Sequence, residues 1–446
     1  MRGPQPFFLS DISSIWLNKL AWIIHSKTDI ETPSLFMLRD SIASMLETWR
    51  NSLPNADLHY AVKANSDPLV LKTVLDLGFS LDVASAYEME LAIRLGADGS
   101  RLLLSHPTKT EATIHGIRKY HPKAIVIDSI RELLRLGEIG LPEAEYQPVV
   151  FVRFATESNG VQDDLNVKFG CDETGATELL VRAKQSGFGR LGLAFHVGTQ
   201  CVDMNNFRVA VRKAKRIAAA AEACGVSVNW LDIGGGFCDR SRAERHGTTP
   251  RLLFEEVNRI LGEEAKGFEV IAEPGRVVVA DSGWLVTKVI SQERRRNGQW
   301  RVIVDDHLYG GLCGQVFDSR EFSFSAFRTR EDSPLDTALE RATIFGATCD
   351  SIDRVDSPNG NTHLLPGNLD FGDYLAVGNM GAYTSTSGSS FNGIDPAGIV
   401  LVWQEGPEVS YIKSPHFYRS KSLLEATYPL RDAKTNVNIV RLAHAT

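Results

Sequence analysis

The chain has 446 residues, of which 43% are hydrophobic and 23% charged, with a formal net charge of −7. That length exceeds what one hydrophobic core usually organises, so two domains are expected, and the acidic balance speaks against a nucleic-acid surface. Six cysteines, Cys171, Cys201, Cys224, Cys238, Cys313 and Cys349, are scattered without CxxC pairs and indicate neither a metal site nor a disulfide framework.

In chain order, the opening segment up to Asp29 has its apolar residues interrupted by Asp11, Asn18 and Lys19. That pattern predicts an amphipathic helix, with neither a signal-peptide core nor a membrane span, so a cytoplasmic location is the simplest expectation. The stretch SIASMLETWRNSL predicts a helix leading into a first strand. Eight short apolar runs follow: HYAVKAN (59–65), LDVAS (81–85), LLLSHP (102–107), AIVID (124–128), VVFVRF (149–154), LGLAFHVG (191–198), LDIGGG (231–236) and VIAEPGR (270–276). Helical stretches such as DPLVLKTVLDLG, AYEMELAIRLG and MNNFRVAVRKAKRIAAAAEACG separate them. Eight apolar strands alternating with helices predict an α/β fold, a parallel sheet closed into a (β/α)8 TIM barrel over residues 36–279. Beyond about residue 280, WLVTKVISQE, QWRVIVDD, DYLAVGN and GIVLVWQEGPEVSYIKS predict strands without long intervening helices, a second, mostly β domain.

Active sites of such barrels lie at the C-terminal ends of the strands. Those ends carry Lys63, Asp82, Ser85, His106, Asp128, Arg153, His196, Gly234 to Gly236, Glu273 and Arg276. Lys63 stands in a run that reads as a buried strand, where an unpaired ammonium is costly, so it is expected to be either paired or reactive. Each feature also has an ordinary reading: the glycine run as a tight turn or as an anion-binding nest, His196 as a packed core residue, Glu273 and Arg276 as a local ion pair. The glycines do not spell GxGxxG, which disfavours a dinucleotide. Taken together, a lysine able to condense with an aldehyde, an anion nest and a carboxylate suited to a protonated pyridine nitrogen are what pyridoxal 5'-phosphate (PLP) requires.

From about residue 33 to 415 the sequence resembles the alanine-racemase-like, fold-type III PLP-dependent decarboxylases, a family that includes ornithine, lysine, arginine and diaminopimelate decarboxylases. AVKAN, LDVAS, FHVGTQ, LDIGGGF, AEPGR, ATCDSID and NMGAYT carry the likeness. The resemblance implies that Lys63 binds the cofactor, His196 stacks on its ring, and Gly234, Gly235, Gly236, Thr199, Arg276 and Tyr383 hold its phosphate. Glu273 would pair with the pyridine nitrogen, with Asp82, Glu88 and Arg153 in support. It further implies a homodimer with shared active sites, in which the partner chain delivers Cys349 as proton donor and Asp350 toward the substrate. The second domain, residues 1–35 with 280–446, would be β-barrel-like.

CDSID resembles the ornithine/lysine branch. On that likeness Asp318 and Asp350 would bind the distal ammonium of a diamino acid, with Tyr309 and Phe391 lining the pocket. L-ornithine decarboxylation to putrescine is the leading expectation. Decarboxylation of lysine, diaminobutyrate or a biosynthetic intermediate, or a catalytically silent regulatory homologue, stand as alternatives. Two places depart from the family: Thr199 replaces a serine, and Asp318-Ser319-Arg320 stands where the family has Asp-His-Ala, so that Arg320 either points to solvent or neutralises Asp318.

Overall fold

The computed structural model describes residues 11–26, 30–143, 145–329, 334–358, 360–406, 408–414 and 438–441. The chain divides into two units, residues 41–281 and residues 1–40 with 282–446.

The N-terminal helix spans Asp11–Ser26, while residues 1–10 and 27–29 of the expected amphipathic segment lie outside the described residues. Trp16, Leu20, Ile23 and Ile24 recur at helical spacing and join Phe36, Trp284, Val400 and Tyr411 in one buried cluster. Strand β1, Ser34–Leu38, is buried throughout, pairing antiparallel with residues 283–286 and parallel with the strand Gly398–Glu405.

The 41–281 unit is a closed barrel of eight parallel strands: β2 Asp57–Ala61, β3 Ser80–Val83, β4 Leu102–Leu104, β5 Ala124–Ile127, β6 Val149–Arg153, β7 Leu191–Ala194, β8 Trp230–Asp232 and β9 Glu269–Ala272. Closure comes from β2 on β9, with Asp57 opposite Ile271 and Leu58 opposite Ala272. Leu103, Val126, Phe151, Ala194 and Ile271, from β4, β5, β6, β7 and β9, form a buried cluster, so this part of the barrel is packed core. Helices begin soon after the strand ends because a polar cap satisfies their first amides. Asp67 accepts from Leu69 N, Ser85 from Glu88 N, Thr110 from Thr113 N, Ser129 from Glu132 N and Asp172 from Gly175 N.

The other unit carries an eleven-stranded mixed sheet. Its centre is β10, Gly283–Arg294, whose first half pairs with β1 and with Tyr374–Val377 and whose second half pairs with β11, Trp300–Val304. A register shift between Val289 and Ser291 divides the two halves. An irregularity of this kind turns a long strand and lets it serve two sets of neighbours. Among the described residues these strands form a branched mixed sheet, in keeping with the second, mostly β domain expected.

Candidate active site

Lys63 is not in a strand. Strand β2 stops at Ala61, and Val62–Ala64 makes one 3-10 turn whose flanking side chains are buried while Lys63 itself is exposed. The expectation of a buried ammonium is corrected accordingly: the turn rotates the lysine out of the apolar run onto the rim. Its charge acts on Asp82, Glu88, His106, His196 and Glu273, which marks it as the common neighbour of the rim groups.

Three buried acids gather there. Asp82, the penultimate residue of β3, lies opposite Ala61, with one carboxylate oxygen lacking a hydrogen-bond partner among the described residues. Burial, then the neighbouring Glu273, pushes its pKa up to about 7, against the opposing pull of Lys63 and Ser105. Asp232, at the end of β8, is pushed up to about 6 by burial. Glu273, following β9, lies well above the carboxylate range through burial and the neighbouring Asp232, which favours its protonated form. Asp232 was missed as a site residue in the sequence, although an acid between Leu231 and Ile233 of an apolar strand was a visible signal.

Arg153 closes β6 and faces these acids. Burial lowers its pKa, while Glu273, Asp232, Asp128 and Asp82 raise it. Its guanidinium carbon lies 5.0 Å from the centre of the Phe169 ring, and two of its nitrogens lack hydrogen-bond partners among the described residues. Glu88 accepts the Ala84 amide at 2.6 Å and His106 meets the edge of Phe169, while Asp128 accepts the Gly170 amide at 3.1 Å.

His196 Nδ1 accepts the Gly198 amide at 3.0 Å, and burial holds the ring's pKa well below its ordinary value, so the imidazole is neutral. The glycine run lies beside it. Gly234 and Gly236 take left-handed φ values of 66° and 92° on either side of Gly235, an alternation that can turn successive amides toward an anion. A Cβ on Gly235 would stand 2.6 Å from the Glu273 carbonyl and 3.2 Å from His196 Nε2. The tight-turn and nest readings therefore describe the same feature: bare backbone is needed to bring the ends of β7, β8 and β9 together. Thr199 lies in the adjoining loop, exchanging backbone hydrogen bonds with Asp163 and Gln162, and Arg276 is buried at the start of Arg276–Val279.

These groups fit PLP. An accessible amine, an acid with a raised proton affinity able to meet a pyridine nitrogen, a neutral flat ring and an amide nest converge on one rim, where buried oxygens of Asp82 and Asp232 and buried nitrogens of Arg153 lack hydrogen-bond partners among the described residues and are open to a polar ligand.

The other candidates stand in the β-rich unit. Tyr309 donates its hydroxyl to Asp350 Oδ2 at 2.6 Å, which lowers the pKa of the acid and raises that of the phenol to about 12. Phe391 packs on Tyr309 with ring centres 4.5 Å apart. Cys349 is exposed, and its amide donates to Asn392 Oδ1 at 3.1 Å. The loop before Asp350 is pinned by Asp353, which accepts from Leu308 N, Thr348 N and Thr348 Oγ1. Asn392 carried no motif, and Asp353, although it closes ATCDSID, was not singled out from sequence. Tyr383 takes a left-handed φ of 62°. Asp318 is ion-paired to Arg320 at 3.2 Å, which answers the question left open by the sequence: Arg320 turns inward.

Residues 39–280 match the family model described as "pyridoxal-dependent decarboxylase, pyridoxal binding domain". The chain is 31% identical over 379 residues to the lysine/ornithine decarboxylase of Selenomonas ruminantium, covering 85% of this chain and 91% of that one. It superposes on a variant of the S. ruminantium lysine decarboxylase in complex with PLP with a TM-score of 0.77 at 30% identity, covering 89% and 96% of the two chains. The Paramecium bursaria Chlorella virus arginine decarboxylase bound to agmatine gives a TM-score of 0.76 at 25% identity, covering 87% and 100%.

Proposed function

Because the chain belongs to the pyridoxal-dependent decarboxylases, we propose that it removes the α-carboxylate of a small basic L-amino acid, L-ornithine foremost, through the residues gathered around Lys63. The observation that carries this reading is the rim itself: an exposed lysine, a buried Glu273 whose protonated form is favoured and a neutral His196.

PLP, when bound, supplies an electron sink for the electron pair left by departing carbon dioxide. Lys63 would hold it through the ε-amine and give way to the substrate's α-amine. Glu273, protonated in the cofactor-free protein, would give that proton to the pyridine nitrogen and face it as a carboxylate; such a charge pair is far stronger in a shielded site than in water. His196, neutral, supports the ring face without competing for that proton. The alternating glycines and Arg276, with Thr199 and Tyr383, would hold the phosphate. Asp82 and Arg153 orient the surrounding charges.

Cys349 would return a proton to the former α-carbon. Asp350, oriented by Tyr309, would accept the substrate's distal ammonium beneath Phe391. Relatives named for lysine and ornithine, and one bound to agmatine, support an amine at the substrate's far end. We further propose a homodimer in which each chain contributes its Cys349–Asp350 loop to its partner's Lys63 site, in a cytoplasmic setting of polyamine synthesis. Lys63→Ala is expected to abolish both the visible absorbance of the lysine-bound cofactor and the release of carbon dioxide. Turnover equal to the parent's would sink the reading.

A further inference from the structure

Segment 379–393 runs as a seam through the β-rich unit. The Asn379 carbonyl accepts from Arg320 Nη1 at 2.7 Å, the Tyr383 carbonyl from the Cys313 thiol at 3.7 Å, and Ser389 N donates to the Tyr309 carbonyl at 2.6 Å. Near its end Asn392 meets the Cys349 amide. The pocket candidates of this unit are thus stations along one wall. Among the described residues, six non-glycine residues have left-handed φ, and four of them, Ser319, Asn379, Tyr383 and Asn392, lie on this wall. Such conformations persist where surrounding structure enforces them, and they concentrate at functional sites.

At one station the left-handed turn at Ser319 brings residues 318 and 320 face to face. Arg320 Nη2 lies 3.2 Å from Asp318 Oδ2, with the two side chains only 13% and 12% exposed. Arg320 Nη1 is held by the Asn379 carbonyl and lies 3.6 Å from Met380 Sδ, and the stem passes Gly314, where a Cβ would stand 3.3 Å from it. A guanidinium fixed at several points does not swing away when a ligand arrives. A carboxylate already bonded to a shielded cation presents a nearly neutral pair, with little attraction left for a second cation.

We propose that Arg320 is a specificity-determining residue that withdraws Asp318 from ammonium recognition, leaving Asp350 with Tyr309 to hold the distal amine. This rests on the reading above that an ammonium reaches this wall. Two carboxylates would fix both the charge and the position of the far amine. One carboxylate at the head of a loop fixes the charge but sets the chain length loosely, so the protein accepts diamino acids of more than one length.

The test is calorimetric binding of putrescine and of cadaverine to the PLP-loaded, full-length protein, which needs no turnover. The parent is expected to bind the two amines with dissociation constants within about threefold of each other, as a single charge contact allows. Arg320→Gln, which keeps a donor for the Asn379 carbonyl but removes the cation, should tighten putrescine binding by about tenfold as Asp318 becomes available. Adding Asp318→Asn should erase that gain, and should weaken binding by a larger factor in the Arg320→Gln background than in the parent. If Arg320→Gln melts early, Arg320→Met keeps the packed stem and is judged by the same criteria. Unchanged or weaker binding on removing the cation, or an equal effect of Asp318→Asn in both backgrounds, overturns the inference. Coupling between Arg320 and Asp318 in a protein that releases no carbon dioxide would instead preserve the inference and overturn the proposed function.

Discussion

Asp82, Asp232 and Glu273 are the residues on which the site's electrostatics turn. Asp82 sits near 7 in the folded chain, against an ordinary value of 3.8. Between those two values the folded state holds more protons than the unfolded state, so unfolding releases protons and stability falls as pH rises through the window. Below it the acid is neutral in both states and the penalty is absent. The cofactor-free protein should therefore lose melting temperature from about pH 4 to pH 7, and Asp82→Asn should flatten that slope, the change corresponding to roughly a few kcal/mol. An identical slope in the variant would remove Asp82 from the account. Much of the rim was legible at this scale because each residue ends an apolar run that names its strand. What was not legible is where the strand stops: alternation of side chains carries Lys63 into the strand, whereas the chain turns after Ala61 and exposes it.

At the scale of elements, the glycine run after β8 is a packing device as well as the proposed anion site. A Cβ on Gly235 has no room beside the Glu273 carbonyl. Gly235→Ala should cost about 1–3 kcal/mol of stability, as overpacking does, and should weaken cofactor binding, measured by denaturant unfolding and PLP titration. Normal stability with normal PLP affinity would mean the strand ends are not held as described. The eight barrel strands were readable because a parallel strand covered on both faces is apolar at nearly every position. The second unit was readable only as strand-rich. Its branching depends on the register shift in β10, and the Asp318–Arg320 pair depends on left-handed Ser319; neither a bulge nor a positive φ at a serine leaves a mark in residue pattern.

Over the whole molecule, the residues proposed for the chemistry are divided between units: Lys63 and the acids in the barrel, Cys349, Asp350 and Tyr309 in the β-rich unit. If two chains share their sites as proposed, inactive Lys63→Ala and Cys349→Ala proteins, mixed and allowed to exchange, should regain activity, to roughly a quarter of the parent's when subunits combine at random. No recovery after demonstrated exchange would place each site within one chain. The central claim, that this chain decarboxylates a basic amino acid, is tested most directly by product identity. Purified PLP-loaded protein is given equal amounts of ornithine, lysine, arginine, diaminobutyrate, diaminopimelate and glutamate, and the amines formed are identified by mass spectrometry. The account predicts putrescine as the main product with cadaverine beside it, while an amine formed only from glutamate or diaminopimelate, or no amine at all from a visibly yellow protein, would contradict it.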